Sequence, residues 1–218
     1  MPRRAIRAVT KTFALTDRHI KRDLDKLAEH HGVIAQALAQ VGYPVSRQRE
    51  HSFASLARIV IGQQLSTKAA ATIAGRVDVA CGGEITASNV LNTAPDALRS
   101  AGLSHQKISY LQALAHTVLS GALSLEALSD CSDQEVEAAI TAVRGFGRWS
   151  AHMYMMFSLG RPDVWPSGDL AVRVGFGRIM GWQERPSEQQ VIDAGEVFSP
   201  HRSSLALLCW HFYSEAPL

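Results

Sequence analysis

A chain of 218 residues, 46% of them apolar and 19% charged, can bury a sizeable core as one domain or as two small lobes. Its formal net charge of +2 neither demands nor excludes a polyanionic partner, because clustering of charge matters more than the total. No stretch approaches the ~20 apolar residues of a membrane span, MPRRAIRAVT lacks the apolar segment of a secretory signal, and Cys81, Cys131 and Cys209 form no C-x-x-C pair. Composition thus argues against a membrane protein, a zinc ribbon, an iron–sulfur protein and a disulfide scaffold, and fits a cytoplasmic protein in a reducing compartment.

In chain order, the basic segment with Arg3, Arg4, Arg7 and Lys11 comes first; it reads most simply as a solvated terminus, with phosphate contact as the alternative. Apolar residues then recur at three- and four-residue spacing through RDLDKLAEHHGVIAQALAQVG, SFASLARIVIGQQLS, KAAATIAGRVDVACGG, KISYLQALAHTVLSG and DQEVEAAITAVRG, the pattern of amphipathic helices. Gly42, Gly82, Gly102, Gly121 and Gly145 stand where helix ends take a residue tolerant of positive φ. Ser132 and Ser187 mark helix starts, Glu135 completes a capping box, and Pro95 suits a first helical turn. The prediction is an all-α chain of about ten short helices. Over residues 1–218 it forms a single functional unit of two helical lobes, one spanning about 55–165 and the other about 1–54 with 166–218, with an active-site cleft between them.

One helical pattern ends at Arg144 and another begins near Trp149, joined by Gly-Phe-Gly in VRGFGRWSA. Glycines let a backbone approach a ligand closely, and the amides that open the next helix form an anion site, for which phosphate is a natural occupant. An ordinary helix–helix turn with Phe146 in the core is the simpler reading of this segment alone. Downstream, VWPSGDLAVRVGFGRI places Asp169 at a helix start, where it is most simply an N-cap. A carboxylate fixed there also has the charge and position to stabilise a developing cation or orient a water, as cleavage of a glycosidic bond requires. GFGRI at 175–179 reads as a glycine-rich packing face.

Together, VRGFGRWSAHMYMMF and PSGDLAVR resemble the helix-hairpin-helix (HhH-GPD) DNA glycosylases, in particular their 3-methyladenine DNA glycosylase II, or alkylpurine, branch. ARIVIGQQLSTKAAATIAGRV and HRSSLALLCWHFY extend the resemblance from about residue 50 to the end. The resemblance implies that Asp169 is the catalytic aspartate. It implies that Trp149, Trp210 and Met153 line the base pocket, and that Gly145, Phe146, Gly147, Arg148, Ser150 and Arg144 form the DNA-binding hairpin, the Ser150 hydroxyl meeting a phosphate. Carbonyls of Thr141, Val143 and Phe146 would hold a structural Na+ or K+, while no cofactor is required and no iron–sulfur cluster is expected. Bifunctional relatives carry a lysine nucleophile where this chain has Trp149, so the resemblance implies a monofunctional enzyme that leaves an abasic site.

An N-alkylated purine is cationic, and its attraction to an indole face is worth roughly 0.5–2 kcal/mol. A base in a duplex must also be flipped out and its space filled, for which Gln64, with Leu65 beside it, lies nearest the family's wedge position. Departures from the family pattern are Gln64, where an apolar residue or His is more usual, Arg144, where a proline is frequent, and Met153, where some relatives place an aromatic residue. The implied substrate is double-stranded DNA carrying 3-methyladenine, 7-methylguanine or ethenoadenine, bound by a monomer of a short form without the N-terminal sheet domain of longer bacterial enzymes. The alternatives are a non-catalytic hairpin module that reads distorted DNA, and a helical protein without DNA contact. Zinc-deaminase, Walker and G-x-S-x-G motifs are missing, and the nine histidines show no metal-ligand spacing.

Overall fold

The computed structural model describes residues 12–216, so the basic cluster Arg3, Arg4, Arg7 and Lys11 lies outside the described residues. Among these residues the chain is all-helical. α1 (Asp17–His30) and α2 (Gly32–Val41) are followed by α3 (Phe53–Gly62), α4 (Thr67–Ala80), α5 (Ala87–Asn92), α6 (Pro95–Ser100), α7 (His105–Leu119), α8 (Leu125–Leu128) and α9 (Asp133–Thr141). Then come α10 (Arg148–Phe157), α11 (Leu170–Ile179), α12 (Glu188–Gly195), a 3-10 turn (Glu196–Phe198) and α13 (Arg202–Glu215). No helix among the described residues is long and apolar enough to cross a membrane.

The local signals act as their chemistry predicts. Gly42, Gly82, Gly102, Gly121 and Gly145 all have positive φ, and Ser132–Glu135 and Ser187–Gln190 form reciprocal capping boxes. Among the described residues thirteen α-helices replace the expected ten or so because α5, α6 and α8 have only six, six and four residues, too few to display a helical period. The expected continuous helix through His30-His31 is broken: His31 takes an extended backbone (φ −131°, ψ 97°), and its ring packs on Phe198 at 4.6 Å. α9 stops at Thr141 rather than Arg144.

The chain divides into two compact units, one built on Glu50–Ala151 and the other on Phe13–Arg49 with His152–Leu218. In the first, α7 packs against α3, α5 and α6, and Leu56, Val60, Val90, Leu98, Leu111 and Leu114 are fully buried. Each such side chain gains about 1.5–3 kcal/mol by leaving water. In the second, α11 lies along α13. Gly175 permits this contact, since a Cβ there would stand 2.1 Å from the Cys209 carbonyl oxygen; this is the packing role expected of GFGRI. Trp165 and Trp182 pack edge-on against Phe176 at 5.4 and 5.6 Å, and Trp165 donates its indole N–H to the Val191 carbonyl (2.9 Å).

The segment from His152 to Trp165, expected with the central helices, groups instead with the second unit. Backbone bonds explain why: Arg49 N–H reaches Phe157 O (2.8 Å) and Ala14 N–H reaches Gly160 O (3.0 Å), and the Val164 amide donates to Ser203 Oγ (2.8 Å).

Candidate functional site

The first unit holds the hairpin. After α9 the chain turns through buried Val143 and Phe146, with Phe146 N–H donating to Val143 O (3.0 Å). The two glycines differ in what requires them. Gly145 has φ +93°, and a Cβ there would lie 2.1 Å from the Tyr110 ring; both the backbone and the neighbour exclude a side chain. Gly147 has no such φ and no atom within 4 Å of an added Cβ, so nothing inside the chain demands glycine there. It caps the start of α10, whose first-turn amides have no intrahelical acceptor and whose dipole favours an anion. A bare backbone at that point suits the close approach of a phosphate.

The hairpin side chains have distinct settings. Arg144 is exposed, whereas Arg148, also exposed, is held by Glu137 on α9 at 3.0 Å. Phe146 offers only its backbone, its ring being buried. Ser150, expected to reach phosphate through its hydroxyl, is instead 2% exposed, and that hydroxyl accepts from Gln63 Nε2 at 3.2 Å; the brace turns it inward. Thr141 donates its hydroxyl to Glu137 O (2.7 Å), and Val143 O retains acceptor capacity beyond its one backbone bond. The hairpin carbonyls are neutral oxygens, a donor set that suits a hard monovalent cation.

Trp149 is exposed and lines a cavity of about 490 Å³ with Gln63, Gln64, Lys107, Tyr110 and the hairpin glycines. Gln64 is exposed, with φ +57°, and Leu65 beside it is 39% exposed. Lys107 and Tyr110 carry no sequence signal for this role, since each is one polar position on an amphipathic helix. Gln63, the neighbour of Gln64, donates its side-chain amide to Gly145 O (3.0 Å).

In the second unit, the loop Pro166–Gly168 feeds Asp169 into the N-cap of α11. Asp169 Oδ1 accepts three N–H donors: the amides of Ala171 (2.9 Å) and Val172 (3.0 Å), and the indole Nε1 of Trp210 (3.0 Å). The capping role read from sequence is therefore present. The Trp210 bond adds a side-chain donor that holds the carboxylate beside an aromatic ring. Trp210 is 9% exposed and packs on Phe157 at 5.8 Å, while the Arg47 guanidinium lies 5.6 Å from its ring centre. Desolvation and the charge of Arg49 lower the pKa of Arg47, the Asp169 carboxylate opposing them; a guanidinium stays protonated regardless. Arg47 sits in the run SRQR, which gives no local hint of this contact. Met153 is buried in the same unit.

Comparison with known proteins places these features in a lineage. Residues 57–200 match the model of the HhH-GPD superfamily of base excision DNA repair proteins. DNA-3-methyladenine glycosylase 1 of Schizosaccharomyces pombe is 30% identical over 168 residues, 76% of this chain and 74% of that protein. The structure of the 3-methyladenine DNA glycosylase of that organism in complex with abasic DNA superposes with a TM-score of 0.80 at 28% identity, covering 87% of this chain and 95% of that one. A DNA-3-methyladenine glycosidase from Bacillus halodurans gives a TM-score of 0.75 at 31% identity over 86% of this chain and 87% of its own. The chain belongs to the HhH-GPD superfamily of base excision DNA repair proteins, in the branch that holds the 3-methyladenine DNA glycosylases.

Proposed function

We propose that this protein is a monofunctional DNA glycosylase of base excision repair. It hydrolyses the N-glycosidic bond of flipped-out alkylated purines in double-stranded DNA, among them 3-methyladenine, 7-methylguanine and ethenoadenine, and leaves an abasic site. It acts as a cytoplasmic monomer. The observation that carries this reading is Asp169 at the start of α11, its carboxylate held by two backbone amides and by Trp210. A protein that only gripped phosphate would have no use for a carboxylate fixed beside an indole.

The division of labour follows from the chemistry of each group. At the hairpin, the amides that open α10 take a backbone phosphate, with Gly147 leaving room for it, and Arg144 adds positive charge. The carbonyls of Thr141, Val143 and Phe146 hold a monovalent cation that offsets phosphate charge without entering the reaction. Gln64 and Leu65 occupy the space the extruded base leaves. The indole of Trp210, bonded to Asp169, provides the aromatic contact for a cationic purine. As the base departs, positive charge grows at the sugar, and the Asp169 carboxylate stabilises it and orients the water that adds to C1′. An N3- or N7-methylated purine is a cation and already a good leaving group, so no strong general acid is required for those bases.

Two features support the absence of strand cleavage. Trp149 stands where bifunctional relatives have their lysine. Lys107, which lines the same cavity, commits its ammonium to the carbonyls of Ile61 and Gln63 (2.7 and 2.8 Å). Borohydride added during turnover is expected to trap no covalent protein–DNA adduct; a trapped adduct would show a Schiff base and a lyase.

Asp169→Asn tests the catalytic assignment. Asparagine keeps the N-cap and can still accept from Trp210, so folding is expected to change by less than about 1 kcal/mol. Release of methylated purines is expected to fall at least about 100-fold, the scale for losing a charge that acts in the transition state. Equal release by variant and wild type would remove Asp169 from the mechanism.

A further inference from the structure

In the first unit, two long polar side chains anchor the turn that leaves α3, one reaching into it and one reaching out of it. Lys107 Nζ donates to Ile61 O and Gln63 O at 2.7 and 2.8 Å, carbonyls at the C-terminal end of a helix, where intrahelical donors have run out and the dipole favours a cation. Gln63 Nε2 reaches the other way, to Gly145 O (3.0 Å) and Ser150 Oγ (3.2 Å) in the hairpin. Burial lowers the pKa of Lys107, so this ammonium has given up hydration for its two carbonyls. Immediately after these anchors comes Gln64 at φ +57°, the single non-glycine residue with positive φ among the described residues, and Ser66 then caps α4. A left-handed glutamine reverts to ordinary backbone unless its surroundings hold it.

Resting on the glycosylase reading above, we infer that Lys107 is a positioning residue for base extrusion: its grip on the Ile61 and Gln63 carbonyls fixes the turn that presents Gln64 as the wedge. Gln63 ties that turn to the phosphate-binding hairpin, so gripping the backbone and filling the vacated stack are functions of one rigid element. Lys107 acts through Gln64 and is needed only where a base must be pulled from a duplex.

The test compares release of methylated purines, read by chromatography, from N-methylnitrosourea-treated duplex DNA and from the same DNA denatured. Lys107→Met is expected to lower release from duplex about tenfold while changing release from denatured strands less than about twofold, because single strands need no extrusion. Gln64→Gly, which removes the side chain and suits the backbone, is expected to show the same pattern. The double variant is expected to be no worse than the poorer single, as for residues acting in series. Should Lys107→Met fail to fold by circular dichroism, Lys107→Gln, which retains a donor of shorter reach, takes its place in the comparison. Equal losses on both DNA forms, multiplying losses in the double variant, or undiminished duplex activity would overturn the positioning role while leaving the glycosylase reading intact. A wild-type protein releasing no base from either form would remove that reading, and this inference with it.

Discussion

Replacing Gly145 and Gly147 separately by alanine divides the hairpin's folding requirement from its binding requirement. At Gly145, alanine must adopt φ +93° and place a methyl 2.1 Å from the Tyr110 ring. The backbone strain costs about 1–2 kcal/mol, and displacing a packed ring adds about 1–3 kcal/mol. A total of about 2–5 kcal/mol would lower the melting temperature by roughly 4–20 °C in a chain of this size. At Gly147 the same methyl meets no atom within 4 Å, and the expected cost is under about 1 kcal/mol, the preference of an N-cap for glycine over alanine. That methyl nevertheless stands where a phosphate oxygen would approach the first-turn amides of α10. Affinity for duplex DNA should fall at least about tenfold, the loss of one charge-assisted hydrogen bond. Thermal melting and a fluorescence-anisotropy titration at fixed salt measure the two effects. Equal destabilisation by both substitutions, or wild-type DNA affinity in Gly147→Ala, would refute the separation.

Trp210→Phe deletes one of the three donors to Asp169 Oδ1 and keeps an aromatic ring. The turnover rate for methylated purines is expected to fall about tenfold with a smaller change in KM, since the carboxylate loses a fixed partner rather than the substrate a face; an unchanged turnover rate would show that the indole bond does not position the carboxylate. Asp163 provides a pH signature: desolvation raises its pKa, but the bonds from Arg202 (2.7 and 2.8 Å) and Ser199 (2.8 Å) outweigh this and hold it below the usual carboxylate value. A depressed pKa stabilises the fold above the unfolded-state value and loses that contribution as pH falls through the folded-state value. Urea midpoints should therefore show Asp163→Asn less stable than wild type near neutrality, by about 1–2 kcal/mol for the lost charged bonds, and the gap closing as pH falls below the ordinary carboxylate range; a gap independent of pH would contradict the ion pair.

The sequence alone determined whatever a single turn of chain can specify. Positive-φ glycines ended the helices at Gly42, Gly82, Gly102, Gly121 and Gly145, serines opened α9 and α12 with capping boxes, and Asp169 took the N-cap of α11. Each signal acts within about four residues, so it survives without knowledge of what packs against it. The family resemblance drew on the same property, since the hairpin and the aspartate loop are both short contiguous segments. Tertiary structure decided what depends on distant partners. Gln63 meets the hairpin across 82 and 87 residues of chain, Lys107 reaches Ile61 across 46, and Trp210 finds Asp169 across 41. Apolar periodicity does not distinguish Gln63 from Gln64, or Trp210 from the core tryptophan Trp165, and the family resemblance assigned Gln64 and Trp210 roles without their partners. Only the packing of helices, driven by burial of their apolar faces, selects which polar side chain arrives at which carbonyl or carboxylate.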